Sequence, residues 1–378
     1  MTADTTPPSA DSVVTGEEAQ ALGAIPVQRP YRRPERLVLW GMGPAHLRLL
    51  AHLQRKPLSH VQVTVLAAQT QSFAPRKLAR YVANDLPLAD CMVDFEPLLQ
   101  QSGVQWTGRQ GRGLNAVSRT VLLDDGQTLE YDLLSINTGP VPHREAVELA
   151  MPGAREHALF VSPLEGFVNL WPKVCGLGRT RALRMAVIGA GTTGFELALA
   201  VRQRMPTASV TWIVGTQQGE RGYPEAMHQR MLELLRAQRV TVLYEDVASL
   251  TRDDVVLRSG ARLACDVPLL VLQHTAPAWL SSSGLAVHMP GGAADLRLAC
   301  DEFERSTSHP EVLHVWQDSP VLAANVHALM QSEPSKLRAL PATGTQFVYA
   351  GAKHALMCWR GRCAQGRSVA WLKQFLNA

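Results

Sequence analysis

Gly189, Gly191 and Gly194 follow an apolar run at residues 185–188 and open a stretch of helical apolar periodicity that continues through Val201. Glycines at this spacing can seat a pyrophosphate. The first lets the chain turn sharply out of a strand, the second lets backbone approach the phosphates, and the third lets the helix pack close to the strand. Phosphate oxygens then meet the unpaired N–H groups and positive dipole end of the helix. The same order of strand, turn and helix occurs about 150 residues earlier, where Gly41 and Gly43 take the first two positions and His46 stands in the third. Two such turns imply two nucleotide sites, with the bulk of His46 pushing its helix outward or changing how the phosphate is met.

The elements that position these turns read as a duplication. After the first turn, residues 61–66 form a second strand, completing a βαβ unit. Residues 104–106 follow later, and residues 116–132 alternate around Asp125-Gly126 as a hairpin. Residues 133–139 then read as a buried strand ending in a glycine turn, and residues 73–99 as loop and helix. The second copy has its strand at 210–214 and its hairpin near 255–263. Strands of this kind usually end on an Asp or Glu that grips an adenosine ribose. Here Leu66 runs into Ala67, Ala68 and Gln69, and Val214 into Gly215, Thr216, Gln217 and Gln218, so both contacts are missing or supplied otherwise.

With 378 residues, 46% of them hydrophobic and 19% charged, the chain can fill two or three cores. A net charge of +4 without a long block of one sign gives no footprint for nucleic acid. The six cysteines show no metal-ligand spacing, which predicts mostly reduced structural thiols, and the four-residue gap between Cys358 and Cys363, which a redox couple could also show, reads as coincidence. Residues 1–33 have the composition of a disordered leader without a secretory h-region, and no run is long enough to span a bilayer. A cytoplasmic protein is expected, with peripheral contact to the inner face of the membrane as an extension of that reading.

With Thr138-Gly139-Pro140 closing the buried strand, the chain resembles the FAD and NAD(P)H dependent pyridine nucleotide disulfide oxidoreductase superfamily. It is nearest the branch of type II NADH dehydrogenases and of the FAD-dependent domain fused to selenophosphate synthetase. The resemblance covers roughly residues 36–375 and rests on LVLWGMGPAHLRLL, YDLLSINTGP, MAVIGAGTTGFELALAV, TAPAWLSSSGLAV, SHPEVLHVWQDSPVLAANV and VAWLKQFL in that order. It implies an α/β fold of two Rossmann-like, three-layer ββα domains and a small C-terminal α+β domain. The FAD domain would take residues 34–150 and 270–334, split around an NAD(P)H domain at 151–269, with the C-terminal interface domain at 335–378.

Carried over residue by residue, the resemblance puts the FAD pyrophosphate on Gly41, Gly43 and the helix start near His46. Thr138 and Gly139 approach the flavin nucleotide, and Asp318 meets its ribityl and phosphate region, although Gln317 replaces the usual glycine before it. Gly189, Gly191 and Gly194 would hold NAD(P)H. Glu196 matches a glutamate near the nicotinamide and flavin, set against a plain reading as an exposed first-turn carboxylate. Hydride would pass from NAD(P)H to FAD, and electrons onward to a quinone or other small acceptor. A dithiol step is not expected, because no Cys pair follows the first glycine turn. Arg221 and the absence of an acid after Val214 point weakly to NADPH. The tail from Gly344 is basic and aromatic. It reads either as a membrane-surface element or as strands at 345–356 and a helix at 368–376 capping the third domain, and the second is preferred. A homodimer is a family habit without support of its own in the sequence. The competing reading is a flavoprotein relative without turnover, serving as a nucleotide sensor or scaffold.

Overall fold

Strand β1 (Arg36–Trp40) is apolar on both faces and buried from Leu37 onward, as expected for a central strand of a parallel sheet. The computed structural model describes residues 35–139, 144–216, 223–271, 277–288, 296–315, 318–341, 346–352, 354–359 and 362–376. The leader, Arg221 and Gln317 lie outside them. Helix α1 (Pro44–Arg55) starts with Pro at its first position and ends with the cation Arg55 in its last turn, the charge order its dipole favours. It buries Ala45, Leu49, Leu50 and Leu53 against β1. Each fully buried leucine contributes on the order of 2 kcal/mol.

β1 is flanked by β2 (Gln62–Leu66) and then β3 (Gln105–Thr107) on one side, and by β4 (Leu133–Ile136) on the other. The second copy repeats the plan. β5 (Leu159–Phe160) lies at the edge, β6 (Arg184–Ile188) is central, and helix α2 (Thr192–Arg204) follows it. β7 (Ser209–Ile213) and β8 (Thr241–Leu243) lie on one side of β6, and β9 (Val267–Leu270) on the other. The chain then returns to the first sheet through β10 (Val312–His314). The two five-stranded sheets are therefore ordered β10-β4-β1-β2-β3 and β5-β9-β6-β7-β8, parallel throughout. In each, the order reverses at the strand that feeds the glycine turn, which is where α/β sheets of this kind have their ligand crevice, at the carboxyl ends.

Both expected hairpins are present, each extended to three antiparallel strands, at residues 111–130 and 247–264. Residues 73–99 are more broken than expected. Two short helices, Leu78–Val82 and Leu88–Cys91, lie between the antiparallel pair Gln71–Phe73 and Met92–Asp94, and a third, Glu96–Ser102, follows them. The tail forms the antiparallel sheet β11 (Gln346–Tyr349), β12 (Ala355–Trp359) and β13 (Arg362–Gly366), then helix α3 (Arg367–Leu376). Val348, Tyr349, Leu356 and Cys358 join the core built around α2, so this sheet packs as a cap.

One expectation is corrected here. Cys358 and Cys363 are directly opposed on β12 and β13 and form a disulfide, with their Cα atoms 4.3 Å apart. A four-residue gap that looked accidental in one dimension separates two paired antiparallel strands, whose register sets its two ends side by side.

Candidate functional site

The first crevice forms where the end of β1 meets the end of β4. Gly41 has φ +95°, and a Cβ there would lie 2.5 Å from the Asn137 carbonyl oxygen. A Cβ on Gly43 would lie 2.0 Å from Asn137 Oδ1. Both glycines are thus required by the close approach of Asn137, a residue that motif reading passed over. Its side chain is fully enclosed, accepting from the Ala45 N–H at 3.2 Å and donating to the Val315 carbonyl at 2.7 Å. Thr138 and Gly139 continue from it, exposed and half-buried respectively, and open space surrounds the point where a Gly139 Cβ would sit.

His46 turns inward beneath the turn rather than toward the crevice. Its Nδ1 lies 2.6 Å from the Gly41 carbonyl and its Nε2 2.9 Å from Ser135 Oγ. A carbonyl only accepts, so Nδ1 carries the proton and Nε2 accepts from the serine. Burial holds the imidazole pKa down to about 4, against the opposing pull of the Gly41 carbonyl. The bulky third residue therefore packs as a neutral strut tying helix, turn and β4 together.

Pro44 offers no N–H and the Ala45 N–H is taken, so the start of α1 presents few backbone donors to an anion. Cations stand nearby instead. Asp318 Oδ2 receives Arg48 Nη2 at 3.0 Å and Arg76 Nη2 at 2.7 Å, while Oδ1 is buried without a hydrogen-bond partner among the described residues. The sequence did carry a signal for Arg48. A cation one turn from a helix N-terminus opposes the dipole unless an anion joins it. At the end of β2, where a ribose-binding acid is missing, the Trp106 indole N–H donates to the Ala67 carbonyl at 2.9 Å with the ring 45% exposed.

The second crevice is assembled more conventionally. Gly189 has φ +146°, and a Cβ there would lie 2.4 Å from the Val271 carbonyl oxygen. A Cβ on Gly194 would meet the Gly189 carbonyl oxygen at 2.4 Å and Trp212 Nε1 at 2.7 Å. The Trp212 indole N–H donates to that same carbonyl at 2.8 Å. Gly191 is the extended residue before α2, and no side-chain bond from it caps the helix. Glu196, in the second turn of α2, is half-buried rather than exposed, and its carboxylate accepts the Tyr349 backbone N–H. The Tyr349 hydroxyl lies 2.6 Å from Asp85 Oδ2 and 2.9 Å from Gln203 Oε1. Burial, reinforced by Asp85, pushes this phenol well above its usual pKa, so it stays protonated as a donor.

The acid missing after Val214 is found elsewhere in the fold. Asp246, beyond β8, places its carboxylate on Thr216, accepting the backbone N–H at 3.1 Å and the hydroxyl at 2.6 Å. These bonds, the hydroxyl first, hold its carboxyl below the usual pKa. Neither it nor Trp106 is legible in the local motif, because each arrives from a different strand. Among the described residues no group of three or more His, Cys, Asp or Glu is arranged to hold a metal ion, and no helix is long and apolar enough to cross a membrane.

The family model described as pyridine nucleotide-disulphide oxidoreductase matches residues 36–312. The alternative NAD(P)H-ubiquinone oxidoreductase C1 of Arabidopsis thaliana is 24% identical over 199 residues, covering 47% of this chain and 38% of that protein. Demethylphylloquinone reductase NdbB of Synechocystis is 28% identical over 202 residues, covering 49% and 47%. The chain thus spans about half the length, or less, of these curated relatives. Among solved structures, the sulfide:quinone oxidoreductase of Aquifex aeolicus superposes with a TM-score of 0.73 at 14% identity, covering 90% of this chain and 89% of that one. NDH2 of Plasmodium falciparum superposes at 0.68 with 11% identity, covering 92% and 94%. At these identities the likeness is one of fold.

Proposed function

This chain belongs to the pyridine nucleotide-disulphide oxidoreductase family, and from that premise we propose that it is an FAD-dependent NAD(P)H oxidoreductase delivering electrons to a quinone or other small acceptor. The observation that carries the reading is the pair of glycine turns, each at the carboxyl end of a parallel sheet where the strand order reverses. We assign FAD to the first crevice (residues 34–150 and 270–334), the nicotinamide nucleotide to the second (151–269), and the interface role to residues 335–378.

The residues present fit this assignment. Gly41 and Gly43 bring backbone to the phosphates, and Arg48 and Arg76 supply the positive charge that the start of α1 lacks. The buried Oδ1 of Asp318 is an acceptor suited to a ribityl hydroxyl. Trp106 offers an aromatic face to the adenosine half. Bound FAD supplies the capacity to take a hydride and give up electrons singly or in pairs. The chain contributes alignment and exclusion of water. Gly189, Gly191 and Gly194 seat the donor, while Glu196, fixed by Tyr349, sets the border between α2 and the C-terminal sheet beside the reacting rings. No dithiol step is needed. The names of the relatives favour quinone, and the exposed Trp359 and Trp371 give the C-terminal sheet and helix a surface for peripheral membrane contact.

The test is NADH or NADPH oxidation by FAD-loaded protein under anaerobic conditions, with and without a short-chain ubiquinone analogue. Quinone-dependent consumption of the nucleotide is expected. Protein that binds nucleotide without turnover on any small acceptor would instead support the sensor reading.

A further inference from the structure

The second crevice lacks an acid on its own strand, since β7 leads through Val214 to Gly215 and Thr216, yet the fold delivers one to the same place. A Cβ on Gly215 would lie 3.1 Å from Asp246 Oδ1, so this carboxylate occupies the space into which an acidic side chain at position 215 would extend. It is fixed there from two sides, by the backbone N–H of Thr216 at 3.1 Å and by its hydroxyl at 2.6 Å. Each carboxylate oxygen has a second lone-pair site, so these bonds do not exhaust its capacity to accept. Among the described residues no Lys or Arg comes within ion-pair distance of it. Arg258 acts on it through space, and its backbone N–H donates to the Asp246 carbonyl at 2.9 Å.

Building on the NAD(P)H-oxidoreductase reading, we propose that Asp246 is the ribose-reading residue of the second site and selects NADH over NADPH. The adenosine ribose of a dinucleotide in such a turn lies over the end of the strand after the glycine-rich helix, which here is β7. The 2′-hydroxyl of NADH can donate to the Asp246 carboxylate. A 2′-phosphate at the same point sets a second anion against the first, with desolvation of both as the nucleotide docks. This runs against the weak indication of NADPH drawn from Arg221 and from the missing acid after Val214: the acid comes from beyond β8, some 30 residues later in the chain, and Arg221 lies outside the described residues.

The test is calorimetric titration of FAD-loaded protein with NAD+ and with NADP+, which bind without reacting, in the wild type, Asp246→Asn and Thr216→Val. In the wild type NAD+ should bind about 10- to 100-fold tighter than NADP+. Asp246→Asn keeps hydrogen-bonding capacity but removes the charge, and should collapse that ratio toward one, mainly by improving NADP+. Thr216→Val removes the hydroxyl bond but leaves the carboxylate, and should preserve the ratio, separating charge reading from a loop-stabilising role. A wild-type preference for NADP+, or an Asp246→Asn ratio equal to that of the wild type, would overturn the inference while leaving the oxidoreductase reading intact. Failure of both nucleotides to bind the wild type would overturn both.

Discussion

At the third position of the first glycine turn the chain spends a buried histidine rather than a glycine, and the consequence is measurable. With the folded-state pKa of His46 near 4 and an ordinary value of 6.5, the unfolded chain takes up a proton between those values that the folded chain refuses. Stability therefore falls as pH drops through that window and is level above it. His46 accounts for up to about 3 kcal/mol of the fall. His314, also held at about 4 by burial, adds to the same window. Urea unfolding of the wild type and His46→Asn at several pH values should show the slope between pH ~4 and ~6.5 reduced in the variant; equal slopes would show that the histidine is not held neutral. A second expectation concerns Asp318. Replacing it with Ala releases the two arginines and deletes the buried acceptor, so FAD affinity should drop at least ~10-fold, as read by fluorescence of released flavin. Residues of this kind were unevenly legible. The glycines announce themselves because no other residue fits the backbone, whereas Asp318 emerged only from resemblance. Asn137 gave no signal, because its partners are Ala45 and Val315, one 92 residues before it and the other 178 after.

Among the elements, α1 depends on contact with β4 and α2 on contact with the C-terminal sheet. Gly43→Ala puts a methyl group 2.0 Å from Asn137 Oδ1 and should cost ~1–3 kcal/mol in thermal or denaturant unfolding as α1 or the end of β4 shifts. Tyr349→Phe removes a hydroxyl that reaches Asp85 and Gln203. It should cost ~1–3 kcal/mol by taking a charge-assisted donor from the half-buried Asp85 carboxylate, with earlier proteolytic cutting of the C-terminal sheet than in the wild type. Element order could be read from the sequence because it is local: alternation gave the hairpins and apolar runs gave the parallel strands. What escaped was lateral. The Cys358–Cys363 bridge, the carboxylate of Asp246 beside Gly215 and the indole of Trp106 over Ala67 all join residues on neighbouring strands or in the segments just beyond them, and the side-by-side pairing of strands is not written in the spacing of either one.

For the molecule as a whole, duplication extends to the amino ends of the two sheets. Before β4, Asp132 accepts the Arg36 backbone N–H at 2.9 Å, and before β9, Asp266 accepts that of Arg184 at 2.7 Å, so matching carboxylates pin matching strands at the ends away from the crevices. The carboxyl ends diverge by contrast. One crevice offers arginines and few backbone donors and the other a nearly bare helix start, which is the division of labour expected if each holds a different dinucleotide. The most direct measurement of that claim is the absorbance spectrum of the purified protein between about 300 and 550 nm before and after anaerobic NADH. Flavin bands that bleach on adding the nucleotide are predicted. A protein that stays colourless after incubation with FAD would contradict the account at its centre.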